Sequence, residues 1–118
     1  MNIKTVKTRP FLPPRDSLPD LLNAIPIIKE KSVIIITSKV ISICQGRCVP
    51  INSVRDKDEL TIKEADLYLN REEVPNKWVM LTIKNNILIP TAGIDESNGN
   101  GYYILWPKNP QKTANDIV

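Results

Sequence analysis

Asp95 and Asn98 fall within the stretch Thr91-Ala92-Gly93-Ile94-Asp95-Glu96-Ser97-Asn98, where the chain concentrates its potential for chemistry. A carboxylate and an amide beside a glycine, just past a strand-like run, are groups of the kind that meet a ligand at the end of a buried strand. An acid in such a loop can equally spend its oxygens on its own backbone and close a turn. Residue type and spacing leave both readings open.

The loop needs two strands to hold it. Lys84-Asn85-Asn86-Ile87-Leu88-Ile89-Pro90 leads in with an apolar end, Gly99-Asn100-Gly101 supplies a tight return, and Tyr102 to Trp106 resumes a strand. The octapeptide is therefore expected between two buried strands. Trp78 to Lys84 and Ile87 to Ile89 form a hairpin across Asn85-Asn86. Upstream, Val33-Ile34-Ile35-Ile36-Thr37 is a continuous β-branched run and is expected to be a strand covered on both faces, at the centre of the core. Leu18, Leu21, Leu22 and Ile25 recur at helical spacing, with Asp16 or Ser17 as cap. Ser38 to Cys44 reads as a short helix or bend broken by Gly46. Asp58 to Leu69 reads as a helix with Thr61 as N-cap and Glu64 closing a capping box. Asn109 and Pro110 open a last helix. The elements predict an α/β chain of mixed α+β character, a mixed sheet with short flanking helices.

At 118 residues and 42% hydrophobic content the chain can fill one modest core. Sixteen basic residues stand against 13 acidic ones, a formal charge of +3 with no block of one sign. That excludes a nucleic-acid footprint. No apolar run is long enough to span a bilayer and the N-terminus lacks a signal-peptide pattern, so a cytoplasmic location without membrane attachment is expected. Cys44 and Cys48, placed on one strand, would stand about 13 Å apart and could not bridge. They read as two small buried thiols. With no histidine in the chain, a zinc site lacks ligands and the commonest general base is missing.

Thr37-Ser38, Ile41-Ser42-Ile43-Cys44-Gln45-Gly46-Arg47, Ala92-Gly93-Ile94-Asp95-Glu96-Ser97-Asn98 and Leu105-Trp106-Pro107-Lys108-Asn109-Pro110 together resemble the γ-glutamyl ligases that attach L-glutamate to the precursor of the deazaflavin coenzyme F420. In that family a strand runs into a Thr/Ser pair, then V-S-K-A-E-G-R, later A-G-I-D-x-S-N, and then a strand ending in L-P-x-D-P. The resemblance implies a homodimer, GTP as energy source, Mg²⁺ or Mn²⁺, and amide formation between L-glutamate and a small-molecule carboxylate acceptor. It further implies Asp95 as metal ligand and Asn98, Thr37 and Ser38 as nucleotide contacts. Arg9, Pro10, Phe11 and Leu12 fall where an N-terminal nucleotide loop should be.

Two departures cut against turnover. The family lysine and glutamate of V-S-K-A-E-G-R are Ile43 and Gln45 here, so a phosphate-stabilising cation and a proton- or metal-accepting carboxylate are both replaced. Lys39 and Arg47 are the nearby candidates for phosphate contact. The family also carries further ligands in a C-terminal half, so residues 1–118 are expected to form the N-terminal portion of a γ-glutamyl ligase-like domain. The alternative is a catalytically deficient nucleotide-binding or interaction module of the same fold.

Overall fold

The computed structural model describes all 118 residues. Four short helices and two small antiparallel sheets follow one another in the order α1 (Leu18–Ala24), α2 (Ser38–Cys44), β1 (Cys48–Pro50), α3 (Lys57–Glu64), β2 (Leu67–Leu69), β3 (Leu81–Lys84), β4 (Ile87–Pro90), β5 (Tyr102–Ile104) and α4 (Pro110–Ile117). The mixed α+β class holds. One sheet pairs β1 with β5, and the other has the order β2-β3-β4.

Local chemistry explains most element ends. The Ser17 side chain accepts from the Asp20 amide at the start of α1, which satisfies one of the donors a helix N-terminus leaves free. Asn85 and Asn86 take φ of 50° and 62°, the left-handed pair that a two-residue hairpin turn demands. They register Ile83 opposite Leu88 and Lys84 opposite Ile87. Pro110 opens α4 at a position where its missing N–H costs nothing. Asn109 precedes it in left-handed conformation, and its side chain makes no capping bond.

Three sequence expectations are corrected. Val33 to Thr37 is not a paired strand: Val33 is 86% and Ile35 92% exposed, and the run belongs to neither sheet. A β-branched run favours extended backbone, but a ladder also needs a partner edge, and both sheets complete themselves from Cys48 onward. Only Ile36 packs, against the α1–α2 cluster. The helix expected from Asp58 to Leu69 ends at Glu64 and begins earlier, because Asp56 accepts from the Glu59 amide while the Glu59 carboxylate accepts from the Arg55 amide. Thr61 lies inside that helix, fully buried, with its hydroxyl donating to the Lys57 carbonyl. Leu67 to Leu69 instead pairs with Leu81 to Ile83. Cys44 ends α2 while Cys48 begins β1, with Gly46 at φ +68° turning the chain between them. Both thiols are free, as expected, and only Cys44 is buried.

Only 19 of the 118 residues are buried, and the fold rests on two separate clusters. Leu60, Ile94, Tyr103 and Leu105, flanked by Val49 and Val54, pack α3 against the β1–β5 sheet. Leu21, Ile41 and Cys44, flanked by Phe11, Leu18, Ile36, Val40 and Ile117, join α1, α2 and the end of α4. Each fully buried aliphatic side chain contributes roughly 1.5–3 kcal/mol. Ile94 ties the first cluster directly to the Asp95 loop.

Candidate functional site

The loop after β4 is wound before it reaches Asp95. Thr91, Ala92 and Gly93 take φ of 50°, 51° and 72°, three successive left-handed residues of which two carry a Cβ that disfavours the conformation. The surroundings enforce it. The Thr91 amide donates to the Met80 carbonyl at 2.9 Å, and the Ala92 amide to the buried Thr82 hydroxyl at 2.8 Å. Thr82 in turn donates to the Ile89 carbonyl. A Cβ on Gly93 would stand 2.5 Å from Trp106 Cε3, so the indole ring requires glycine there. Strain over-determined in this way is found where a loop must aim a side chain.

The flanking strands differ from expectation. β5 is largely buried, but β4 exposes Ile87 and Leu88, and the two belong to different sheets. Asp95 is fastened to β5 by an isolated bridge in which its amide donates to the Ile104 carbonyl at 2.9 Å and its carbonyl accepts from the Ile104 amide at 2.7 Å.

With its backbone fixed, the Asp95 carboxylate divides its work. Oδ1 accepts from the Ser97 amide at 2.9 Å and the Ser97 hydroxyl at 2.7 Å, the self-closing turn that an aspartate can make in any loop. Oδ2 faces outward and meets Lys39 Nζ at 3.0 Å. The same ammonium donates to the Ser97 carbonyl. Desolvation alone would raise the Asp95 carboxyl pKa, but the Ser97 hydroxyl and amide and the Lys39 ammonium outweigh it and hold the group below its ordinary value. Asp95 is thus a persistent anion, 42% exposed, with two oxygens of the loop converging on one positive charge.

Lys39 stands in the first turn of α2, immediately after Thr37 and Ser38. Those two are exposed and their hydroxyls make no hydrogen bond within the protein. Asn98, at φ 54°, is exposed in the same turn as Ser97 and its amide is equally uncommitted. Lys39, Asp95 and Ser97 are therefore brought together across 58 residues of sequence, with Thr37, Ser38 and Asn98 adjoining them along the chain.

The remaining candidates are placed otherwise. Arg9 is held by Asp16 and Asp20 at 2.7 and 2.8 Å and lies 4.5 Å above the Phe11 ring. The Asp16 carboxyl, bonded by that guanidinium and by the Leu12 and Ser17 amides, is held well below its ordinary value. Residues 9–12 are thereby organised, with the Pro10 carbonyl accepting from Arg9, Phe11 packed on the α1–α2 cluster and Leu12 exposed. No hydrogen bond or ion pair joins them to the Asp95 loop. A cleft of about 610 Å³ opens beside Asp16, Ser17, Cys44 and Gln45. Arg47 is drawn away entirely: its Nε donates to the Trp106 carbonyl and its Nη2 lies 2.5 Å from Glu64. The two departures are structural in role. Ile43 is 3% exposed, and the Gln45 amide accepts from the Lys108 amide while donating to the Lys108 carbonyl and the Thr113 hydroxyl.

The model of one protein family, F420-0:Gamma-glutamyl ligase, matches residues 13–118. The chain belongs to that family. Membership makes this a domain of ligase type, and the matched stretch takes in the Asp95 turn described above. Arg9 to Leu12 precede the matched stretch. No solved structure matches the chain. No helix is long and apolar enough to cross a membrane.

The loop presents two oxygens to a single cation position. Asp95 Oδ2 and the Ser97 carbonyl are oxygen ligands already converged on a positive stand-in, the Lys39 ammonium. No group of three acidic, histidine or cysteine side chains is present, so any such ion would take its other ligands from phosphate oxygens and water, a coordination habit of Mg²⁺.

Proposed function

We propose that this chain is the nucleotide- and metal-binding part of a GTP-dependent γ-glutamyl ligase. The enzyme would join L-glutamate to a small-molecule carboxylate acceptor such as the F420 precursor, acting in the cytoplasm as a homodimer. One observation carries the reading: Asp95 Oδ2 and the Ser97 carbonyl converge on a single cation position beside uncommitted polar groups. A bound Mg²⁺ or Mn²⁺ would neutralise phosphate charge as the γ-phosphoryl group departs. Asp95 and Ser97 hold that position, and the Thr37 and Ser38 hydroxyls with the Asn98 amide supply hydrogen bonds to the nucleotide. Lys39, released from Asp95, remains as a cation for phosphate oxygens and compensates for the aliphatic side chain at position 43. The acceptor carboxylate oxygen takes the γ-phosphoryl group, giving an acyl phosphate and GDP. The glutamate amine then displaces phosphate from the acyl carbon, loses a proton and leaves an amide.

Calorimetry of GTP binding with and without Mn²⁺, on this chain and on Asp95→Asn, tests the proposal. Metal-dependent affinity lost in the variant is expected. Affinity that is indifferent to both metal and variant would refute it. A second reading, the nucleotide-binding module without turnover, is favoured by Gln45, whose amide is committed to Lys108 and Thr113. Retained metal-dependent GTP binding with no consumption of L-glutamate would select that reading.

A further inference from the structure

A second cluster of charge shares no residue with the Asp95 loop. Arg47, Lys84, Asn85, Pro107, Lys108 and Asn109 line a cleft of about 180 Å³ that contains no hydrophobic side chain. Glu64 is not among them. It lies behind, where it meets Arg47 at 2.5 Å and Lys84 at 3.0 Å. One carboxylate thus serves two cations, whose side chains are only 17% and 13% exposed. Lys108, which has no ion-pair partner, adds a third positive charge at the rim. Against these three cations stand Glu64 and a second carboxylate, Asp66, which accepts from the Asn85 amide at 2.7 Å, so the cleft keeps a net positive charge, and its two half-shielded cations are screened less by water than the exposed Lys108.

Hydrogen-bonding capacity is unspent in the same place. Arg47 uses Nε on the Trp106 carbonyl and Nη2 on Glu64, leaving Nη1 without a protein acceptor. Lys84 donates to the Glu64 carbonyl and carboxylate, leaving a third proton. The Asn85 and Asn109 side-chain amides bond to nothing in the protein. Both asparagines are set by left-handed backbone, at φ 50° and 43°, one at the hairpin tip and one before α4. The cleft thus gathers side-chain donors of Arg47, Lys84, Asn85, Lys108 and Asn109 that no protein group takes up, and its volume suits an oxyanion group rather than a whole nucleotide.

We infer that this cleft is an oxyanion-binding site for the phosphate or carboxylate group of a small molecule, read by Arg47, Lys84 and Lys108. It stands whether or not the Asp95 loop takes a metal. The test follows backbone amide shifts of Asn85, Lys108 and Asn109 during titration with inorganic phosphate and, separately, with L-glutamate. Saturable shifts confined to these residues are expected with at least one of the two, and the one that binds more tightly identifies the source of the oxyanion. Lys108→Gln should weaken binding about fivefold, the scale of one exposed charge-assisted hydrogen bond. Lys84→Met, which leaves Arg47 paired with Glu64, should weaken it about tenfold or more. Lys63→Gln makes the same change in net charge as Lys108→Gln at an exposed residue paired to Glu59, and should leave affinity unchanged. No saturation with either probe, or equal weakening by Lys63→Gln and Lys108→Gln, would overturn the inference.

Discussion

Two lysine–carboxylate pairs in this protein have the same separation and different physics. Lys39 meets Asp95 at 3.0 Å, and Lys84 meets Glu64 at 3.0 Å. The first pair is open, with side chains 25% and 42% exposed, and each partner has a single opposite charge. The second is shielded at 13% and 18%, and Glu64 also carries Arg47. Distance therefore does not rank them. Exposure and the ratio of cations to anions do: the open pair can trade its ammonium for another cation at little cost, whereas the shielded triad holds strand β3 and the residue leading into β1 to the end of α3.

The largest effect should come from removing the anion of the triad. Glu64→Gln leaves Arg47 and Lys84 mutually repelling with little access to water, and is expected to cost on the order of 3 kcal/mol of unfolding free energy, read from urea denaturation. A loss below about 0.5 kcal/mol would place this cluster in the same class as an ordinary surface pair. Next is Gly93→Ala, which tests the scaffold of the open pair rather than its charges. The added methyl group meets Trp106 at 2.5 Å with φ at +72°, so a cost of about 2 kcal/mol is expected. Displaced Asp95 and Ser97 amide resonances should accompany it.

Acid titration separates the two carboxylates further. Burial would raise the Glu64 carboxyl, but the hydrogen bonds and charges of Arg47 and Lys84 prevail and hold it below its ordinary 4.5. In that window the unfolded chain binds more protons than the folded one, so stability rises with pH. The contribution of Glu64 is complete above about 4.5 and is lost as pH falls through the lower folded value. Stability measured from pH 6 down to pH 2 should fall less steeply in Glu64→Gln than in the parent. The corresponding change for Asp95→Asn should be smaller, because solvent screens the open pair.

What was legible in the sequence was local. The Asn85-Asn86 turn, the Ser17 cap and the Pro110 start each depend on a side chain acting within three or four residues of its own position, and each stands where the pattern put it. Competition between two local signals was not legible. Thr61 and Glu64 spell a capping box, yet Asp56 caps the helix earlier by accepting from the Glu59 amide, and Leu67 to Leu69 pair in the sheet. Pairing was not legible for Val33 to Ile36 either, since composition reports a preference for extended backbone and not the presence of a neighbour. At the site, the A-G-I-D-x-S-N pattern points to Asp95, but the contact of its loop with Lys39, which runs from Lys39 to the Ser97 carbonyl, spans 58 residues. Nothing in the sequence signals that Arg47 meets Glu64, which is 17 residues away. Nothing in sequence distinguishes a lysine that lines a cleft, as Lys84 and Lys108 do, from one in solvent.

The smallest expected change in stability is the most informative about the open pair. Lys39→Ala removes one partially exposed ion pair, worth less than about 0.5 kcal/mol, and leaves the Ser97 hydrogen bonds that close the Asp95 turn. The fold should therefore be unaffected while the Asp95 carboxyl loses one of the interactions that lower its pKa, which carboxyl-carbon NMR would show as a rise. If the ammonium occupies the position a divalent ion would take, its removal should strengthen Mn²⁺ binding in the absence of nucleotide, measured by relaxation enhancement of water protons. If Lys39 also serves nucleotide phosphate, the same variant should weaken GTP binding in the presence of Mn²⁺. Opposite signs in the two titrations would assign both duties to one side chain. Unchanged nucleotide affinity would reduce Lys39 to a counterion of Asp95, and unchanged metal affinity would leave the loop a self-satisfied turn like any other.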